Sequence, residues 1–365
     1  MLDAAVAAAA VTLPDSSQAS FSRPVGRDTI ALDSNESPAP PDPPRRRDIV
    51  EHLADAVETL HRYPDPEARL LRGELARWVH HDTGARLGPE HVFVGNGSSE
   101  VLQTLFQFFG GPGRTAMTFG PTYPLYRRLA RLTGTRLVEE PRDEAMRVDV
   151  RAARAAASRW SPDLIVVATP NNPTGTATDG AQLRSLAELA PVTVVDEAYA
   201  EFRCPDAFAA PSLVGDCPGL VVTRTLSKAF AAAGLRVGYA MADPATTEQV
   251  EATALPYRVS SLNQAAACAV LSDHAAVDRR LRSVREVRAG VYELLDAAGL
   301  AWMPSDANFV HVRPGGSTGD AVDALRAAGV LVKVSEVPGW LRITVGTAEQ
   351  MAAAVRVLTR EIEEL

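Results

Sequence analysis

Short apolar runs alternate with amphipathic segments between residues 92 and 241. The runs are rich in Val, Leu, Ile and Phe, which is typical of strands that are buried on both faces. They predict strands at 92–94, 115–119, 136–138, 164–169, 192–196, 220–225 and 237–241. Because several of these strands lie one strand–helix unit apart, the pattern predicts an α/β fold with a mostly parallel sheet flanked by helices.

Before residue 92, apolar residues are spaced as in helices. Apolar residues recur every three or four positions over 48–61, which predicts a helix with Asp48 as its N-cap. The same period resumes over 67–80, after a break at Pro64 and Pro66. Prolines cluster ahead of residue 47, so we expect that segment to be extended.

A second, shorter set of predicted helices and strands follows Pro244. It predicts helices over 263–298, strands near 308–312, 330–334 and 341–345, and a terminal helix from Thr347. The chain is long enough for more than one domain. We predict an N-terminal arm over 1–47 that joins the small domain, a large domain over 48–257 and a smaller α+β domain over 258–365.

The composition is that of an ordinary globular protein. Of 365 residues, 46% are hydrophobic and 22% are charged, and the net charge of −8 argues against nucleic-acid binding. The three cysteines have no C-x-x-C spacing, and no apolar run reaches about 18 residues. The alanine-rich start lacks the basic region of a signal peptide. We therefore predict a cytoplasmic protein with no membrane contact and no metal site.

The first polar motif is Gly95-Asn96-Gly97-Ser98-Ser99-Glu100, between a predicted strand and a predicted helix. Glycine permits a tight turn, serine can cap a helix, and the free amides of a helix N-terminus can bind phosphate. Helix capping alone also explains this motif. Since it lacks both the Walker pattern and the complete G-x-G-x-x-G, it supports neither a nucleoside triphosphatase nor a Rossmann dehydrogenase.

Two further motifs follow predicted strands. Asn171 and Asn172 lie in a proline-rich turn, where their amides can donate hydrogen bonds. Asp196 ends an apolar strand, so its carboxylate is expected to be partly buried and to need a cationic partner. Tyr199 lies three residues later, so its hydroxyl can reach the same ligand as the Asp196 carboxylate.

Lys228 lies in the fourth motif, residues 225–239. An exposed lysine is the simpler explanation of this residue alone, but covalent attachment to a carbonyl cofactor would account for its surroundings. The carboxyl ends of parallel strands meet at one edge, so we expect all four motifs to form one site. A phosphate seat, a carboxylate for a pyridinium, donors for a phenolate oxygen and an amine for an aldehyde match pyridoxal phosphate.

Together these motifs resemble those of fold-type-I pyridoxal-phosphate enzymes, in the histidinol-phosphate aminotransferase-like group of the aspartate aminotransferase superfamily. The similarity is carried by 171–175 (NNPTG), 194–199 (VVDEAY), 225–239 (TLSKAFAAAGLRVGY) and 341–347 (LRITVGT). It implies an aminotransferase that moves an amino group between an amino acid or amine and a 2-oxo acid. A decarboxylase or an oxidative deaminase with the same cofactor stays an alternative, because the sequence does not show which substrate bond breaks.

The resemblance implies roles for individual residues. Lys228 would form the Schiff base and carry protons, while Asp196 would hold the ring nitrogen. Tyr123 would stack on the ring, and Asn172 and Tyr199 would bind its phenolate oxygen. The implied phosphate contacts are Gly97, Ser98, Ser99, Thr225, Ser227 and Arg236.

Substrate and subunit contacts are also implied. Arg342, Arg313, Asn35 and Asn172 would contact the substrate, with the arginines suited to an anionic group. Tyr63 would reach the phosphate of a neighbouring subunit, which implies a homodimer with shared active sites.

Four positions depart from the usual pattern of this group. Phe21 replaces a tyrosine, Ser37 replaces an asparagine, Ser99 replaces an acidic residue and Lys333 replaces a frequent arginine. The cofactor contacts are intact, so we expect the substrate, and not the cofactor, to be specialised.

Overall fold

The computed structural model describes residues 29–40 and 42–363. Most of the predicted arm, including the departure at Phe21, lies outside the described residues. No helix within the described ranges is long and apolar enough to cross a membrane.

A seven-stranded sheet forms the larger core, in the order β2-β8-β7-β6-β5-β3-β4. Its strands are β2 (Val92–Asn96), β3 (Thr115–Gly120), β4 (Arg136–Pro141), β5 (Leu164–Ala168), β6 (Val192–Asp196), β7 (Leu220–Thr225) and β8 (Val237–Met241). All neighbours are parallel except that β8 runs antiparallel to β2 and to β7. The mostly parallel sheet predicted from the apolar runs is confirmed, because runs buried on both faces need helices on both sides.

A four-stranded antiparallel sheet, in the order β12-β13-β10-β9, forms from the C-terminal region. Its strands are β9 (Ala301–Met303), β10 (Phe309–Arg313), β12 (Lys333–Val334) and β13 (Leu341–Thr344). A separate pair joins β1 (Ile30–Ala31) to β11 (Val330–Leu331) in parallel. The single strand predicted near 330–334 is therefore two strands, since its two halves pair with different partners.

Helices fill the connections between these strands. They are α1 (Pro43–Glu58), α2 (Arg69–Thr83), α3 (Gly97–Phe109), α4 (Leu125–Thr133), α5 (Val150–Trp160), α6 (Gly180–Ala187), α7 (Pro244–Thr253), α8 (Ser261–Ser272), α9 (His274–Ala297), α10 (Thr318–Ala327) and α11 (Ala348–Glu363).

The predicted start of the first helix at Asp48 is wrong. Helix α1 begins at Pro43, and the Asp42 side chain caps it by accepting from the Arg45 amide at 3.1 Å. Proline is well tolerated in the first turn because an amide there has no intrahelical partner. The helix runs across the boundary predicted between residues 47 and 48, and the division into domains stays a prediction.

Helix α1 is held against α8 by a buried arginine. The Arg45 guanidinium donates to Ala269 O at 3.0 Å, to Val270 O and to Asp273 O at 2.7 Å. These carbonyls lie at the end of α8, where no further helical turn is available to satisfy them. The Arg45 guanidinium therefore caps the C-terminus of α8.

A second buried arginine connects the sheet to α2. Arg224 on β7 is fully buried and forms two ion pairs. Its Nη2 lies 2.7 Å from Glu197 Oε2, and its Nη1 lies 2.7 Å from Asp82 Oδ2. Glu201 lies 3.7 Å away, and burial raises its pKa to about 7. Arg203 shares the Asp82 carboxylate at 3.1 Å. Glu197 follows Asp196 directly, so this cluster fixes the chain at the carboxyl end of β6.

We expect Arg224→Met to destabilise the protein by about 3–5 kcal/mol, because it leaves buried carboxylates without their cation. The measurement is urea unfolding, with the change appearing in the midpoint and not in the slope. Arg326→Met is the matched control, since the Arg326–Asp323 pair is exposed and should contribute less than about 1 kcal/mol. Equal losses in the two variants would contradict the role assigned to the cluster.

Candidate active site

Asp196 lies at the carboxyl end of β6 and is almost fully buried. Its carboxylate accepts from the Tyr126 hydroxyl at 2.7 Å and from the Thr223 hydroxyl at 3.3 Å. Burial raises the pKa of Asp196, although both hydrogen bonds oppose this. Within the described ranges its side-chain partners are hydroxyls and none is a cation, so the site can accommodate a cationic group at this carboxylate.

The predicted phosphate contacts are brought together by β8. Gly238 lies on β8 opposite both Gly95 on β2 and Thr225 on β7. A side chain at Gly238 would collide with the Ser98 backbone amide. The absence of a Cβ therefore lets the start of α3 approach the end of β7, which places helix amides beside hydroxyl groups.

Arg236 completes this group. Its Nη1 donates to Ser227 Oγ at 3.3 Å, and Thr225 Oγ1 donates to the same oxygen at 2.9 Å. Gly97 has a positive φ of 79°, and a Cβ built there would collide with Arg236 Nη2. The positive φ favours glycine here, and a Cβ would also displace the guanidinium from its present position. A cation, hydroxyls and helix amides thus converge as a phosphate would require.

Lys228 follows β7 and is half-buried. Its Nζ donates to Ser34 O at 2.9 Å and lies 5.9 Å from the centroid of the Tyr199 ring. The amine therefore lies beneath the segment that follows β1.

Tyr199 is buried, and its ring packs edge-on against Phe309 at 5.2 Å. Its hydroxyl accepts from Asn35 Nδ2 at 3.0 Å. Burial raises the pKa of Tyr199 to about 12, so the hydroxyl keeps its proton at neutral pH. Tyr199 can therefore donate one hydrogen bond to a ligand.

Arg342 on β13 is also buried. Its Nη1 donates to Asn172 Oδ1 at 2.7 Å and its Nη2 donates to Asp33 O at 2.6 Å. Arg342 Nε is buried and has no hydrogen-bond partner among the described residues. A buried guanidinium with a spare donor is suited to an anionic ligand.

Tyr123 precedes α4 and is partly exposed. Burial of its hydroxyl raises the pKa of Tyr123, while a hydrogen bond with Ser99 lowers it. The rings of Tyr123 and Tyr126 meet edge-on, with their centroids 5.9 Å apart. Tyr123 therefore lies between the start of α3 and Asp196, where a ring could stack on it.

Two predicted residues are not in contact with the others. Tyr63 is 80% exposed and stacks on Tyr257 at 4.6 Å. Arg313 is exposed at the end of β10, on the same face of the strand as Phe309 but four residues further along. Neither makes a hydrogen bond or ion pair with another predicted site residue within the described ranges.

Sequence reasoning missed two residues that contact the site. One is Tyr126 on α4, whose hydroxyl donates to Asp196. A single tyrosine on a helix gives no signal in the sequence that it contacts a strand end elsewhere in the fold. Thr344 lies within the run 341–347 but received no role, and it hydrogen-bonds Asn35. Only the alternation of β13, which places residues 342 and 344 on one face, could have indicated Thr344.

The described residues thus place a lysine amine, a buried carboxylate, phenol and amide groups, and a cluster of helix amides, hydroxyls and a guanidinium at one edge of the sheet. The aminotransferase class I and II family matches residues 27–358. The chain belongs to this family. The predicted resemblance and the predicted enzyme class, an aminotransferase acting on amino and keto substrates, are confirmed by this match.

Two relatives are similar over most of their length. The chain is 41% identical over 325 residues to histidinol-phosphate aminotransferase 3 of Burkholderia lata, covering 89% of this chain and 88% of that protein. It is 43% identical over 338 residues to histidinol-phosphate aminotransferase of Mycobacterium avium, covering 90% of this chain and 82% of that one.

A solved structure confirms the fold. The histidinol-phosphate aminotransferase of Sinorhizobium meliloti, in complex with pyridoxal-5'-phosphate, matches with a TM-score of 0.81 at 27% identity. The match covers 92% of this chain and 91% of that one. The predicted α/β architecture of fold type I is therefore confirmed.

Proposed function

We propose that this aminotransferase transfers an amino group from an anionic amino donor to a 2-oxo acid, with pyridoxal phosphate bound at the edge formed by Asp196 and Lys228. Family membership and the cofactor of the S. meliloti relative bear out the predicted cofactor. The observation that carries the residue assignment is the buried Asp196 carboxylate, whose described side-chain partners are only hydroxyls.

The chain's groups fit the cofactor one by one. Asp196 Oδ would hold the pyridine nitrogen in its protonated form, and this cation would reverse the pKa shift that burial causes at Asp196. When bound, the cofactor supplies an electron sink for the substrate α-carbon. Tyr123 would cover the ring, and Tyr199 with Asn172 would donate to the phenolate oxygen.

The phosphate would occupy the seat at the start of α3. Gly97, Ser98 and Ser99 would offer amides, and Thr225, Ser227 and Arg236 would add hydroxyls and a positive charge. Lys228 Nζ is the proposed covalent attachment point and the base that moves the proton at the substrate α-carbon. Its contact with Ser34 O keeps the amine beneath the arm segment.

Arg342 is the proposed partner of the donor's anionic group. Its spare Nε and its fixed Nη contacts preorganise the guanidinium for a ligand on one side. Asn35 and Arg313 stay predicted substrate contacts. Because both curated relatives are named histidinol-phosphate aminotransferases, histidinol phosphate is the first donor to test.

We expect an anionic amino donor to remove the visible band of the loaded enzyme, and a 2-oxo acid to restore it. Arg342→Lys should lower kcat/KM for an anionic donor by roughly ten- to a hundredfold, because an ammonium cannot replace the planar fork. A neutral amine should be affected far less. Arg154→Lys, at an exposed ion pair, is the control and should change neither value.

A band that is lost with release of carbon dioxide, and that no 2-oxo acid restores, would favour a decarboxylase. Equal losses for anionic and neutral donors would remove Arg342 from substrate recognition.

We also propose that the protein acts as a homodimer with shared active sites, in the cytoplasm. Tyr63 is exposed and does not contact the predicted site of its own chain. Large apolar side chains near it in sequence, Val57 and Leu60, are more than half exposed, as is Leu255 beside the Tyr257 region. Such exposed groups are typical of a surface that another subunit covers.

Lys228→Ala and Tyr63→Phe chains, when mixed, should regain activity above that of either parent. A shared-site dimer would contain one site with both native residues, since each chain supplies what the other lacks. The measurement is turnover after subunit exchange has been proven by mass spectrometry of differently tagged chains. Proven exchange without any gain in turnover would contradict shared sites.

A further inference from the structure

Asn35 connects the arm, the small sheet and the predicted cofactor site. It is 1% exposed and has a left-handed backbone with φ of 53°. Its carbonyl accepts from Asn308 Nδ2 at 3.1 Å, and the Leu32 carbonyl accepts from the Thr344 amide at 2.8 Å. The position of the Asn35 side chain is therefore fixed through its backbone.

Two hydrogen bonds join Asn35 and Thr344, and the donor of each is determined. The Asn35 amide can only donate, and it donates to Thr344 Oγ1 at 2.9 Å. A threonine hydroxyl has a single proton. That proton is directed to Asn35 Oδ1 at 3.2 Å.

This direction fixes the orientation of the Asn35 side-chain amide. With the amide inverted, the Thr344 proton would face an NH2 group and would lose its acceptor. The observed orientation instead presents Asn35 Nδ2 to the Tyr199 hydroxyl at 3.0 Å. Nδ2 can only donate, so the Tyr199 oxygen accepts and its own proton must be directed elsewhere.

We infer that Thr344 and Asn35 are positioning residues that direct the Tyr199 hydroxyl proton toward the phenolate oxygen of the cofactor. This inference rests on the proposed cofactor site. Tyr199 is buried, and an unmade hydrogen bond from a buried hydroxyl is costly. A relay that leaves only one direction for this proton makes the donor available before the cofactor arrives, as preorganisation requires.

The test is a pH titration of the visible band of the protein loaded with pyridoxal phosphate. A hydrogen bond donated to the phenolate oxygen of the bound cofactor stabilises the negative charge on that oxygen. This charge is greatest when the nitrogen that joins the cofactor to Lys228 carries no proton. Loss of that donor therefore raises the midpoint of the titration. We expect Thr344→Val to raise it by about 0.5–1 pH unit, the size of one hydrogen bond.

Matched variants separate positioning from packing. Thr344→Ser keeps the hydroxyl and should keep the native midpoint. Thr118→Val removes another buried strand hydroxyl, one bonded to Val166 O, and should not shift the midpoint. Should Thr344→Val fail to fold, Asn35→Gly suits the left-handed backbone. It removes the Nδ2 donor to Tyr199 that the Thr344 hydroxyl is inferred to orient.

The decisive comparison is the double variant with Tyr199→Phe. If Thr344 acts through Tyr199, Thr344→Val should add no further shift to that of Tyr199→Phe. A full additional shift, or a native midpoint in both Thr344→Val and Asn35→Gly, would overturn the inference. Failure of the proposed function is distinguishable, because a protein without the cofactor on Lys228 would have no titrating band in any variant.

Discussion

The candidate site depends on the antiparallel strand β8 between β2 and β7. This strand pairs with β2, which leads into α3, on one side and with β7 on the other, so it fixes the amino end of α3 relative to the carboxyl end of β7. Gly238 lets these two elements approach each other closely. Gly97 leaves space for Arg236, so two glycines keep helix amides, hydroxyls and a guanidinium together at the proposed phosphate site.

The opposite side of the site depends on hydrogen bonds between regions far apart in sequence. Arg342 bonds Asp33 and Asn172, and Asn35 bonds Thr344 and Tyr199. These contacts join the arm, the small sheet and the large sheet at one place. A change in the arm is therefore expected to alter the orientation of donors at the proposed cofactor site, even without direct contact with the cofactor.

Sequence reasoning predicted the strands of the large sheet because most of them are short apolar runs, and some of them, such as β6 and β7, end in a polar residue. Asp196 and Lys228 were found for the same reason, since polar groups at strand ends are conspicuous. The pairing order and the insertion of β8 could not be predicted, because they depend on contacts between distant residues. Tyr126 and Thr344 were missed on the same ground: their partners are 70 and 309 positions away.

The most direct test is to identify the residue that carries the cofactor. The loaded protein is treated with borohydride, digested, and the modified peptide is sequenced by mass spectrometry. We expect one reduced pyridoxal adduct, on Lys228, and no adduct in Lys228→Ala. An adduct on Lys333, or an undiminished adduct in Lys228→Ala, would contradict this account of the site.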